Sequence, residues 1–153
     1  MIKTGDISER FSMYLRRSGW YPGRCVDIRN DVKILEAEGF ISNQTAISIL
    51  ESFAGLFVKA PPGGISPYPT EILFDPVEAA SGELDRTEPW TAHIGSNLFP
   101  IAEDNNGSVI WVAGDGKFYI GREFGLYFLG NNTFEAMDAR ICPQSNLQIV
   151  SEE

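Results

Sequence analysis

Histidine and cysteine are nearly missing from this chain of 153 residues, which has one His and two Cys. A metal site gathers several such side chains, and His93, Cys25 and Cys142 are too few and too far apart in sequence to build one. A Ser–His–Asp or Cys–His device would have to use His93 itself, and no Gly-x-Ser-x-Gly elbow is present. Within Thr91-Ala92-His93-Ile94, that histidine reads as a helix-surface or capping residue. Two cysteines make no disulfide framework, so both read as reduced thiols. No run approaches the roughly 18 apolar residues that a membrane span needs. The opening Met1-Ile2-Lys3-Thr4-Gly5-Asp6 has no apolar signal-type segment, so the expected address is cytoplasmic, away from any membrane. Bases are also scarce: 12 Lys+Arg stand against 21 Asp+Glu, a net charge of −9. That balance argues against direct binding to a nucleic-acid backbone. Pro61-Pro62-Gly63-Gly64-Ile65-Ser66 lacks the Gly-Lys-Ser/Thr ending of a phosphate loop.

What is present is the composition of a folded domain, 43% hydrophobic and 22% charged. The length suits one domain over 1–153, with a core at about 7–142 and a tail from 143 to 153. The charge is uneven. Residues 1–33 carry seven bases and four acids, a balance of +3, and the other 120 carry five bases and seventeen acids, a balance of −12. An acidic body of this kind speeds encounter with a basic partner, although acidity also serves plain solubility.

Helical spacing of Ile7, Phe11, Tyr14 and Leu15 predicts a first helix near 7–18, with Asp6 as N-cap in a box with Glu9 and Gly19 just past its end. A second helix is expected at about 31–38, ending at Gly39. A third is capped by Ser42, lined by Ala46, Ile49, Leu50 and Phe53, and closed by Gly55. Strands are expected at 56–60 and 70–74, short helical pieces at 76–81 and 87–94, strands at 98–103, 108–113, 117–121 and 124–129, and a last helix over 133–141 capped by Asn132 or Asn131. A short strand at 147–150 would complete the chain. Helices first and last with strands between them indicate α+β: a single domain with a curved, mainly antiparallel sheet and helices packed on one face.

Asp115-Gly116 predicts a two-residue hairpin, which sets Ala113 opposite Phe118 and Trp111 opposite Ile120. Val109, Trp111, Phe118 and Ile120 would then face the helices, and Ile110, Val112 and Tyr119 the other side. That second side does not alternate to polar residues, so it is either covered by the chain or an apolar patch for a partner. Glu103, Asp104, Asp115 and Glu123 fall at strand ends. With so many acids, their proximity needs no acid–base chemistry to explain it.

Three patterns carry a family resemblance. The first is Leu15-Arg16-Arg17-Ser18-Gly19-Trp20-Tyr21-Pro22-Gly23-Arg24. The second is Leu50-Glu51-Ser52-Phe53-Ala54-Gly55-Leu56. The third is Gly95-Ser96-Asn97-Leu98-Phe99-Pro100-Ile101-Ala102 with Gly107 and Asp115-Gly116-Lys117-Phe118-Tyr119 after it. Their order and spacing over about 7–140 resemble the third subgroup of the SUKH superfamily, which includes immunity proteins of bacterial polymorphic toxin systems. The family favours glycine at the position of Ala102, so the turn expected there would be built differently.

The resemblance implies a non-enzymatic domain without cofactor that binds and blocks a cognate toxin domain, often a nuclease or nucleic-acid deaminase, as a monomer or weak dimer. The alternative is an interaction module of the same superfamily docking on cell-wall regulatory or secretion machinery. The expected partner contacts are Glu103, Asp104, Asp115 and Glu123, with Tyr119 and Tyr127 as aromatic anchors. Trp20, Pro22, Gly23, Arg24, Gly55 and Pro100 carry the family pattern and are expected to be structural.

Overall fold

The computed structural model describes residues 2–152. A 3-10 turn at Thr4–Asp6 leads into helices α1 (Glu9–Arg17), α2 (Arg29–Glu38) and α3 (Gln44–Phe53). Strands β1 (Phe57–Ala60) and β2 (Thr70–Leu73) and helices α4 (Pro76–Ala79) and α5 (Leu84–Ile94) follow. The chain then runs through β3 (Leu98–Asp104), β4 (Val109–Ala113), β5 (Phe118–Arg122), β6 (Gly125–Gly130), α6 (Thr133–Ile141) and β7 (Gln148–Glu152). The seven strands form one sheet in sequence order, each antiparallel to its neighbours, so β1 and β7 are its edges.

The α+β class and nearly every element are the expected ones; the caps shift. Ile7 is extended (φ −136°, ψ 158°) and buries its side chain, so α1 cannot start before Ser8. Ser8 Oγ accepts the Phe11 N–H at 3.0 Å, whereas the Asp6 carboxylate accepts the Lys3 N–H at 2.8 Å and closes the 3-10 turn. Helix α3 is capped by Asn43 rather than Ser42. Its amide oxygen accepts from Ala46 N–H at 2.8 Å while its NH2 donates to the Val112 carbonyl at 3.1 Å, a double reach that a serine hydroxyl lacks. At the end of α1, Gly19 N–H bonds the Arg16 carbonyl and Trp20 N–H bonds the Leu15 carbonyl, with Gly19 at φ 108°.

The β4–β5 register also differs by one. Gly116 N–H bonds the Ala113 carbonyl and Ala113 N–H bonds the Lys117 carbonyl, so the loop is the three residues Gly114-Asp115-Gly116 with Gly116 left-handed at φ 87°. The extra loop residue slides the pairing: Val112 faces Phe118 and Trp111 faces Tyr119. Ile110, Val112, Phe118 and Ile120 therefore share one side, and Val109, Trp111 and Tyr119 the other. The glycine-type turn expected at Ala102 is absent, because Ala102 is paired with Ile110 inside β3, just past a bulge at Ile101.

Every residue of β4 is buried, so the chain covers both sides and no bare apolar face remains there. Helical cover is divided between the two sides rather than confined to one. On the side of Trp111, the Phe40 ring lies 5.9 Å away, and a methyl group on Gly121 would meet both Trp111 and Trp90 of α5. On the opposite side, Arg140 of α6 pairs with Asp104 of β3. Helix α6 in turn meets α1 where the Ser8 hydroxyl donates to the Asp138 carboxylate. Phe53 of α3 joins these layers through edge contacts with Phe11, Trp20 and Phe74.

Candidate functional site

The Trp20–Arg24 turn is built around Pro22, with Gly23 at φ 89° and Arg24 N–H bonded to the Tyr21 carbonyl. It aims two side chains at the core. Trp20 is 3% exposed, packs against Phe53 and carries the Arg16 guanidinium 5.5 Å from its ring centre. Arg24 donates to the Ser52 carbonyl at 2.7 Å and the Ala54 carbonyl at 2.8 Å, so its fork holds the open C-terminal end of α3. Gly55 follows this end with its N–H on the Phe74 carbonyl, and Pro100 is buried in β3 opposite Trp111.

The six positions chosen from sequence as partner contacts do not form one surface. Glu103, Asp104 and Glu123 lie at one end of the central strands, because Glu103 pairs with Val109 and Val109 with Gly121. Asp115 stands at the other end, in the β4–β5 loop. Tyr119 is 7% exposed with its ring on Phe128, and Tyr127 points to the opposite side beside Ile120, under the Arg122 guanidinium. Burial, with Asp115 adding to it, raises the Tyr119 phenol above its ordinary value. Asp104 is enclosed: one oxygen takes Arg140 at 2.7 Å and the other accepts the Asn106 and Ser108 N–H groups. A carboxylate committed in this way holds the fold and is closed to a partner. Glu103, Asp115 and Glu123 stay accessible.

Electrostatic strain collects at Glu103. Burial raises its carboxyl above the ordinary value, and the charges of Glu78, Asp75 and Asp104 raise it further. Asp27 is the opposite case, fully exposed and lowered to about 2 by its hydrogen bonds from Arg29. His93 sits exposed in the last turn of α5. Among the described residues, no three or more His, Cys, Asp or Glu side chains gather as metal ligands, and no helix is long and apolar enough to cross a membrane.

A sequence model described as SUKH-3 immunity protein matches residues 7–141, from the buried Ile7 just ahead of α1 to the last residue of α6. The chain belongs to the SUKH-3 immunity protein family. No curated protein and no solved structure matches it. Of the elements among the described residues, the matched span contains six of the seven strands and all six helices, together with the Trp20–Arg24 turn and the Asp104–Arg140 pair. Membership assigns an immunity role, in which the task is to bind a cognate toxin.

Sequence reasoning missed the Arg140 pairing altogether, since a lone arginine in an amphipathic helix gives no sign that it will be buried. It also passed over Phe57, which is 44% exposed. Phe57 lies within the strand expected at 56–60, where an apolar side chain between Leu56 and Val58 gives no sign that it faces solvent.

Proposed function

We propose that this family member neutralises a basic toxin domain, a nuclease or a nucleic-acid deaminase, by one-to-one binding in the cytoplasm and without chemistry of its own. The observation that carries the reading is the charge imbalance of −12 over residues 34–153, joined to the family match. A toxin that holds nucleic acid presents a positive cleft, and a negative inhibitor is drawn to it and competes with phosphate for the same cations. The accessible carboxylates Glu103, Asp115 and Glu123 contribute to that field.

The test is co-purification of the tagged chain from its own cells, with mass spectrometry of the retained protein and one-to-one reconstitution from recombinant components. A stoichiometric basic partner whose toxicity the chain abolishes is the expected result. Recovery of cell-wall regulatory or secretion machinery alone would overturn the proposal in favour of the docking-module alternative.

A further inference from the structure

The β1–β2 ribbon forms one edge of the sheet and leaves one of its sides uncovered next to the built core. Val58, Ala60, Thr70 and Ile72 are buried, whereas Phe57 and Lys59 are exposed and Glu71 and Leu73 half-buried. The pairing places Phe57 directly opposite Leu73, Leu73 opposite Glu103 and Lys59 opposite Glu71. Paired residues project to the same side, so Phe57, Leu73 and Glu103 form one row across three strands. The central strands have no such bare side, because β4 and most of β5 are buried throughout.

The surroundings of that row are acidic. Asp75 caps α4 through the Glu78 N–H, which brings both residues beside β2, and the charges of both bear on Glu103. None of Glu71, Asp75, Glu78 and Glu103 is ion-paired among the described residues; Asp27, Glu83 and Asp104 by contrast each have an arginine. Lys59 is the one base in the patch, and its ammonium lies 5.2 Å from the Phe57 ring centre. A shallow groove of about 440 Å³ continues from Glu78 past Val77 and Leu84, and its walls add Glu38 and Asp85 with no basic residue. An exposed apolar centre bordered by unpaired carboxylates suits a surface of opposite charge.

We propose that this side of the β1–β2 ribbon, with Phe57 and Leu73 at its centre and Glu71, Asp75, Glu78 and Glu103 around them, is where the Lys/Arg-bearing surface of the toxin docks. The inference rests on the immunity reading above and adds the face. Phe57 acts as the apolar anchor that slows dissociation, and the carboxylates steer arrival. Cations reaching the patch relieve the repulsion that Asp75 and Glu78 exert on Glu103.

The experiment uses the recombinant toxin domain recovered by the co-purification, with association and dissociation rates measured at low and high salt. Phe57→Asp is expected to raise the dissociation rate tenfold or more. The surface variant Glu71→Lys/Glu78→Lys is expected to slow association at least fivefold at low salt, with the difference shrinking at high salt. Asp115→Lys, half that charge change and at the far end of the sheet, is expected to slow association less than the face variant and to leave dissociation unchanged. If the wild-type chain binds and both face variants bind equally well, this face is not the docking site and the immunity reading stands. If the wild-type chain does not bind, both readings fall. A wild-type chain that sediments as a dimer, and as a monomer once it carries Phe57→Asp, would assign the face to a second copy instead and overturn the proposal. The lysine variant replaces two carboxylates that hold no side-chain hydrogen bond or ion pair among the described residues, so it decides the matter even if Phe57→Asp disturbs folding.

Discussion

Arg140 on the last helix and Asp104 at the end of the third strand meet at 2.7 Å, both almost wholly removed from water and 36 residues apart in sequence. The pair pins α6 to the sheet, and the Arg140 guanidinium also reaches the Thr70 hydroxyl at 3.3 Å. Because Asp104 simultaneously accepts two N–H groups of the β3–β4 turn, one carboxylate joins a helix, a strand and a loop.

Removing one member of this pair should strand the other charge in the core. Arg140→Met is expected to cost about 3–5 kcal/mol in denaturant unfolding. Adding Asp104→Asn should recover part of that loss, because the amide still accepts from the turn and carries no charge. A double variant no more stable than Arg140→Met would show that the loss comes from packing rather than charge.

Trp20→Ala should cost ~3–5 kcal/mol, since the indole fills space between α1 and Phe53. Arg24→Ala should cost roughly 1–3 kcal/mol by leaving the Ser52 and Ala54 carbonyls without their donor. Both losses should appear in thermal or chemical melts of the free protein. Unchanged stability together with lost toxin binding would make these two side chains contacts instead of supports.

Gly121 lies under two tryptophans. A Cβ there would come within 2.8 Å of Trp111 Nε1 and 3.1 Å of the Trp90 ring. Gly121→Ala is expected to destabilise by about 1–3 kcal/mol through overpacking and to alter the tryptophan fluorescence of the folded state. A neutral substitution would show that α5 can shift on the sheet.

Glu103 binds its proton more tightly in the folded chain than in the unfolded one, because burial and neighbouring acids disfavour its charge. Its contribution to stability is therefore unfavourable at neutral pH and disappears as pH falls below its ordinary value of 4.5. Glu103→Gln should melt higher than wild type at pH 7, and the two should converge in acid. Melts that differ equally at every pH would trace the effect to shape.

Elements whose ends are decided by bonds a few residues long were legible from residue types alone. Gly19 and Gly39 close their helices through carbonyls three to five positions back, and Asn132 caps α6 through the Glu135 N–H. The acidic body was likewise plain in composition. The first caps slipped by one or two positions because burial of Ile7 and the bond from Asn43 to Val112 are tertiary events.

The candidate site was less legible, for the same reason. Glu103, Asp104, Asp115 and Glu123 look alike in sequence, each an acid at a strand end. Only the completed sheet separates an enclosed Asp104 from an accessible Glu103 and sends Asp115 to the opposite end.

By itself, then, the sequence determined the order of helices and hairpins, the sign of the charge and the family membership. Local hydrogen bonds, side-chain charge and residue spacing are properties of short stretches of chain. The tertiary structure alone decided the β4–β5 register, the cover on both sides of Trp111, the burial of Arg140 against Asp104 and the bare row from Phe57 to Glu103. Each of these depends on which distant residues exclude water from one another, and that is settled only when all seven strands and the helices on both sides are in place.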